Sequence, residues 1–171
     1  MIPDQYSFTT KYNGIATALI TPCAISAAWD PLEEKPEPVA VRYQCLWDTG
    51  ATISAVTKRV ATDLGLATEA LIPIQHAGGV SVDVPQHYVN LQLPNNVVVV
   101  GRAVAQLPLT NYDVLIGMDI ISQGDLAISN FNGKTTFTFR MPSVKEFDFV
   151  AEWDAIKKSQ QIDSSDEAPN G

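Results

Sequence analysis

Cysteine and histidine are both scarce here, with two of each in 171 residues. Cys23 and Cys45 have no CxxC spacing and sit on apolar segments, as buried free thiols do. With only His76 and His87 as imidazoles, a His/Cys metal cluster is not expected, and no cofactor is called for. No apolar run approaches the roughly 18 residues that a membrane helix needs. The first residues lack a basic, apolar, small-residue pattern, so a secretion signal is not expected and a cytoplasmic location follows by default. Basic residues are outnumbered 11 to 19 by acidic ones, and the net charge of −8 argues against nucleic acid as a partner. Part of that charge lies in Asp163-Ser164-Ser165-Asp166-Glu167, a segment expected to repel itself and fray.

What is present suits a globular fold of strands and turns. An apolar content of 46% supports a real core, and eleven Pro and ten Gly supply turns. The length fits one domain, or one domain with tails. Gly14 to Ile20 reads as a first strand. The segment Pro31 to Pro38 reads as a charged, Pro-rich loop, because Pro removes ladder donors and restricts its predecessor. Val39 to Trp47 is a strand running into Asp48, and Ile53 to Val56 is a short one. Thr57 can cap a helix from Lys58 to Leu64, stopped by Gly65, with Val60, Ala61 and Leu64 on one face. Leu71 to Leu93 reads as one long hairpin turning at Ala77-Gly78-Gly79. Beyond Pro85, His87, Val89, Leu91 and Leu93 alternate onto one face. Strands at Val97 to Ala105 and Tyr112 to Ile116 follow, then a helical turn from Asp119 to Gln123. Leu126 to Ser129 and Thr135 to Phe139 form a hairpin through Asn132-Gly133. Phe149, Val150, Trp153 and Ile156 are spaced to share one helix face, which could cap the chain's own core or dock on a second subunit.

The segment richest in chemistry is Asp48-Thr49-Gly50-Ala51, at the end of the apolar run Tyr43, Cys45, Leu46, Trp47. A carboxylate ending a buried strand, in a tight turn, is what an aspartic protease needs, since such an enzyme shares one proton between two carboxylates and activates a water between them. Asp48 is otherwise a turn residue capping a bend. A second segment, Leu115-Ile116-Gly117, opens a short helix, and a Gly-containing hairpin lies between the two. In these parts and their order, from about residue 40 to residue 140, the sequence resembles the retropepsin-like aspartic proteases, the single-lobed family that includes the retroviral enzymes.

The resemblance implies an all-β, closed acid-protease barrel with one main helix and a flap hairpin. The two strand-turn-helix units would be related by a pseudo-two-fold axis and form a ψ-shaped floor under the catalytic turn. It implies Asp48, Thr49 and Gly50 as the catalytic triplet, with Ala51, Thr52, Ala77, Gly78, Gly79 and Ile116 against a peptide or protein substrate. Gly78 and Gly79 are either an ordinary turn or the tip of a mobile flap. Asp113 and Asp119 flank the second motif without a following Thr-Gly or Ser-Gly, so they read as a strand-entry residue and a first-turn helix residue. One chain then supplies one catalytic Asp, and a homodimer braced by Thr49 is expected. Ala51 cannot donate a hydroxyl to the dyad, which should therefore hold its shared proton to higher pH. Thr52 and Met118 replace the Asp and Arg that retroviral members pair at these positions. Residues 1–145 are expected to form the protease domain, and 146–171 a partly helical, then acidic and disordered, extension. A catalytically silent domain of the same fold, or an unrelated small β-barrel module, are the alternatives, with phosphoaspartyl chemistry a poor third.

Overall fold

The computed structural model describes residues 6–30, 32, 36–76 and 78–166. In chain order the elements are β1 (Tyr6–Lys11), β2 (Leu19–Ala27), β3 (Val41–Trp47), β4 (Ala55–Val56), α1 (Lys58–Asp63), β5 (Ala70–His76), β6 (Gly79–Leu93), β7 (Val97–Gln106), β8 (Val114–Ile116), α2 (Met118–Ile121), β9 (Asp125–Ser129), β10 (Thr136–Met141) and α3 (Phe149–Asp166). Seven strands pair in the order β2-β3-β8-β4-β7-β6-β5, and a further β2–β6 pairing closes six of them into a ring. Strand β5 stays outside the ring, paired only to β6, as the outer strand of the flap hairpin. The expected closed, mostly β barrel is what forms. Among the described residues no helix is long and apolar enough to cross a membrane.

Local signals explain most of these elements. The Thr57 hydroxyl accepts the Val60 N–H at 3.4 Å, and Gly65 takes a left-handed φ of +60° just past the helix end, so α1 starts and stops where its caps dictate. Its Val60 and Ala61 are buried against the barrel. On β6 the predicted face, His87, Val89, Leu91 and Leu93, is buried. The β9–β10 connection turns through Asn132 and Gly133, both with positive φ.

The first strand differs from its expectation. Residues 13–18 form bends, and β2 begins only at Leu19. Tyr12 holds this turn, its hydroxyl donating to Ile20 O at 3.0 Å and accepting from Ile20 N–H at 2.8 Å. The strand that the sequence did not signal, β1, gains its partner from the far end of the chain: it pairs antiparallel with β10, which pairs with β9, making a separate three-stranded sheet.

Phe8, Phe137 and Phe139 of that sheet meet Trp47 of β3 at ring-centroid distances of 5.8, 5.1 and 5.0 Å. Burying each such ring contributes about 2–3 kcal/mol, so this aromatic cluster is the principal weld between the small sheet and the barrel. The Trp47 indole N–H donates to the Thr21 hydroxyl at 2.9 Å, which satisfies its one polar atom. Cys23 and Cys45 are both free and buried. The hydrogen bond to Cys45, with burial second, pushes the Cys23 thiol far above the ordinary range, so it is chemically quiet.

Asp125, at the start of β9, ties down the chain that leaves the barrel. Its carboxylate accepts from the Ser143 hydroxyl at 2.5 Å, Val144 N–H at 3.0 Å, Arg140 Nε at 2.6 Å and Lys145 N–H at 3.2 Å. The Ser143 hydroxyl first, then the Val144 amide, hold this carboxyl well below the usual range. A depressed carboxylate stabilises the fold above its unfolded pKa of about 3.9 and loses that contribution as pH falls toward its folded value. Asp125→Asn is expected to lower the melting temperature by about 5 °C at pH 7 and to flatten the loss of stability below about pH 4. Thermal melts of both proteins from pH 7 to pH 2 would check this; parallel acid limbs would contradict it.

Helix α3 follows, its first N–H groups capped by Asp148, whose Oδ1 accepts from Val150 and Ala151 at 3.0 Å each. It continues through Asp163–Asp166, where fraying was expected. Phe149, Val150, Trp153 and Ile156 are exposed, so its apolar residues do not cap the chain's own core.

Candidate active site

Strands β3 and β8 are parallel neighbours with Trp47 opposite Ile116. Because they end level, the turn after each lies beside the other. Two backbone hydrogen bonds join these turns, Asp48 N–H to Ile116 O at 3.0 Å and Met118 N–H to Ala51 O at 2.8 Å, and a third, Ala51 N–H to Asp48 O at 3.2 Å, closes the first turn on itself. Gly117 makes the close approach possible. A Cβ there would lie 2.7 Å from the Ile53 carbonyl carbon and 3.0 Å from Ala51 O.

Within the first turn, the Gly50 N–H donates to Asp48 Oδ1 at 2.8 Å, which fixes the carboxylate's orientation. Asp48 is half-buried and lines a cleft of about 500 Å³ with Ala16, Thr17, Leu46, Tyr112, Ile128 and Asn130 among its walls. It is the one acidic residue among the lining residues. Thr49, Gly50 and Thr52 are exposed and Ala51 is half-buried.

The two other candidate acids are engaged elsewhere. Asp113 accepts from two of the three Arg59 guanidinium nitrogens, Nε at 2.9 Å on Oδ1 and Nη2 on Oδ2. Asp119 sits in the first turn of α2, where it accepts the Ser54 hydroxyl at 2.7 Å.

Ser54 was not singled out by sequence reasoning. It is 1% exposed, and its oxygen also accepts the Gly117 N–H at 3.0 Å, so one hydroxyl bridges both turn regions and the α2 carboxylate. A lone hydroxyl inside the short apolar run Ile53 to Val56 was the available signal, since a buried polar atom needs a partner.

Ile116 was expected against substrate, and the structure places it as follows. Its side chain is fully buried in the core, and it reaches the site through its carbonyl. Strand alternation turns Leu115 the other way, into a small apolar cluster with Ala55 and Ala105 and with Ile72, Ile74 and Val84 from the flap strands. The hairpin bends where Ile72 pairs with Val84 but Ile74 with Ser81, and Asp83 takes a φ of 56° in the extra loop of chain. Gly78 and Gly79 are at the exposed tip, Gly79 with a φ of +125°. Ala77 lies outside the described residues. His87, on the inner face of β6, is buried, with Nδ1 2.7 Å from Ala67 O and Nε2 3.4 Å from Gln106 Oε1, a structural role.

A closed β barrel with one carboxylate in an Asp-Thr-Gly turn, stitched to an apolar-apolar-Gly turn, defines a single-lobed acid-protease fold. Residues 40–123 match the family described as "gag-polyprotein putative aspartyl protease". Among solved structures, the chain is similar to a retropepsin-like aspartic protease from Rickettsia conorii, at 13% identity and a TM-score of 0.51, over 82% of this chain and 98% of that one. It is also similar to the retroviral protease-like domain of Ddi1 from Leishmania major, at 18% identity and a TM-score of 0.44, over 79% of this chain and all of that one. No curated protein matches the sequence. In its matched segment and its fold, the chain is similar to the retropepsin-like aspartic proteases.

Proposed function

We propose that the protein is an aspartic endopeptidase that hydrolyses peptide bonds with a water held between Asp48 of two identical chains. The observation that carries this reading is the state of the three acids: Asp48 alone lines the cleft, while Asp113 and Asp119 are paired with Arg59 and Ser54. With one available carboxylate per chain, the shared-proton chemistry requires a homodimer.

In this mechanism one Asp48 is ionised and takes a proton from the water as its oxygen attacks the peptide carbonyl carbon. The other, protonated, gives its proton to the carbonyl oxygen, and a tetrahedral diol forms. Collapse breaks the C–N bond as a carboxyl returns a proton to the leaving nitrogen, giving acid and amine. Gly50 keeps its carboxylate aimed, and exposed Thr49 is placed to brace the second chain. Ala51 and Thr52, with Gly78 and Gly79 of the flap, would meet substrate backbone, the glycines because no side chain intervenes. Residues 1–145 would form the protease unit and 146–171 an extension.

Cleavage of a peptide library across pH tests this reading. Two carboxylates a few ångströms apart cannot both ionise readily, so the pair titrates in two separated steps and activity is bell-shaped. Without a hydroxyl at Ala51 to stabilise the doubly charged pair, the optimum is expected at roughly pH 5 to 6.5. Ala51→Ser should move the alkaline limb to lower pH by about 0.5–1 unit. A pepstatin-like transition-state mimic should inhibit, and chelators should not. An optimum near pH 2, typical of pepsin-type dyads, or a limb unmoved by Ala51→Ser, would count against the dyad.

A further inference from the structure

Helix α3 is firmly rooted, yet it packs on little. Asp125 holds the Val144 and Lys145 amides, and Asp148 caps the first turn. Between these two anchors, the charges of Arg140 and Lys145 lie 5.9 and 5.2 Å from the Phe147 ring centre. Beyond this root every side chain from Phe149 to Gln160 is exposed. A helix draws most of its stability in a protein from an apolar face packed against something. Here that face is Phe149, Val150, Trp153 and Ile156, with Phe149 75% and Trp153 57% exposed.

The spacing and the charges say what would cover it. Phe149, Trp153 and Ile156 follow one another at four and three residues, the repeat that lays apolar side chains along the seam of a coiled coil. Glu152 and Lys157 border that seam on opposite sides, five residues apart. In a parallel pair of helices these two positions face each other, so each Glu152 meets the partner's Lys157. Within one chain both ions have only exposed partners that exchange at little cost. Glu152 pairs with Lys145 at 3.4 Å and Lys157 with Asp154 at 3.2 Å, all four side chains about half exposed. An anionic membrane surface fits less well, since Glu152 and Asp154 offset Lys157 and Lys158 and the whole chain carries −8.

We infer that α3 pairs in parallel with the α3 of a second copy of this chain, as a short two-stranded coiled coil bordered by reciprocal Glu152–Lys157 contacts. The inference rests on the two-chain reading of the active site, because so short a seam does not hold two chains by itself. Once two chains meet at the Asp48 turns, their helices are held at high effective concentration and the seam closes. A parallel pair has its two-fold axis along its length, and a two-fold axis is the symmetry that two equivalent Asp48 carboxylates require. Helix α3 thus raises the affinity between subunits without touching substrate, and activity at low chain concentration depends on a helix outside the barrel.

The test uses substitutions in the full chain. Trp153→Glu should weaken self-association about 100-fold in sedimentation equilibrium. The melting transition of the barrel should survive, since Trp153 is exposed, and cleavage should fall at low chain concentration and recover at high. Glu152→Lys or Lys157→Glu alone should weaken self-association about 10-fold, and the two together should restore it. Parallel helices bring equal positions together, so mild oxidation should cross-link Phe149→Cys to its copy but not Ala151→Cys, on the far side of the helix. Cys23 and Cys45 are buried and do not compete. If Trp153→Glu self-associates like the unaltered chain, or Phe149→Cys does not cross-link and the charge swap restores nothing, the pairing is wrong. Binding to anionic vesicles that Trp153→Glu abolishes, with self-association unchanged, would give the face to a lipid surface and also overturn it. Cleavage that still depends on Asp48 in those preparations leaves the dyad standing. If Phe149→Cys does cross-link, yet Asp48→Asn chains mixed in leave activity per unaltered chain constant, the dyad fails and the helix pair remains.

Discussion

Asp48→Asn is expected to lower peptide hydrolysis by about 10⁴-fold or more, with the melting temperature within about 2 °C of the unaltered protein. The asymmetry follows from what the side chain does in the fold. Its Oδ1 accepts the Gly50 N–H, and an asparagine carbonyl oxygen can accept the same bond, so the turn keeps its shape. The backbone bond from Asp48 N–H to Ile116 O is untouched. An amide, however, cannot hold the shared proton or take one from water at neutral or mildly acid pH. Steady-state cleavage and thermal melts on the same preparations check both halves. Metal-dependent activity surviving in the variant would remove Asp48 from the chemistry.

Gly117→Ala is expected to be the most damaging of the single-methyl changes around the site. Its backbone, at φ −96° and ψ −176°, is one that alanine adopts freely, so the obstacle is space alone. The added carbon would sit 2.7 and 2.8 Å from the carbonyl atoms of Ile53 and 3.0 Å from Ala51 O. All three are backbone atoms of the segment that carries the Asp48 turn, which cannot retreat without breaking the Met118-to-Ala51 bond. Overpacking of this kind costs about 3 kcal/mol, or a fall of about 6–12 °C in melting temperature. Cleavage should drop beyond what lost stability explains, because Asp48 moves with its turn. Gly14→Ala is the matched control, since nothing lies within 4 Å of its added carbon. Equal melting temperatures for the two variants would contradict the packing account.

The parts of this site that could be read along the chain are those whose cause is local. Asp48-Thr49-Gly50 and Leu115-Ile116-Gly117 each announce a strand running into a turn, and Thr57 and Gly65 bound α1 by their own backbone chemistry. Ile116 shows where local reading stops. An apolar residue beside the Asp48 turn can face the core or the cleft, and only the pairing of β8 between β3 and β4 decides that Leu115 points toward the flap strands and Ile116 away. The same holds for Ser54, whose two partners lie 63 and 65 residues away. Strand β1 is short and half polar, and it becomes a strand because β10 offers it a ladder. The Asp125 clamp likewise depends on which strands end up outermost, a property of the whole topology.

Subunit mixing tests the central claim, that two chains share one catalytic pair, most directly. Unaltered protein would be incubated with increasing amounts of Asp48→Asn chain, long enough for exchange, and cleavage measured per unaltered chain. A two-chain dyad predicts that activity falls with the fraction of unaltered partners, to about half at an equal mixture, because every mixed dimer lacks one carboxylate. Activity per unaltered chain that stays constant through a large excess of the variant, with mixed dimers demonstrated by mass, would show that one chain carries out the chemistry alone.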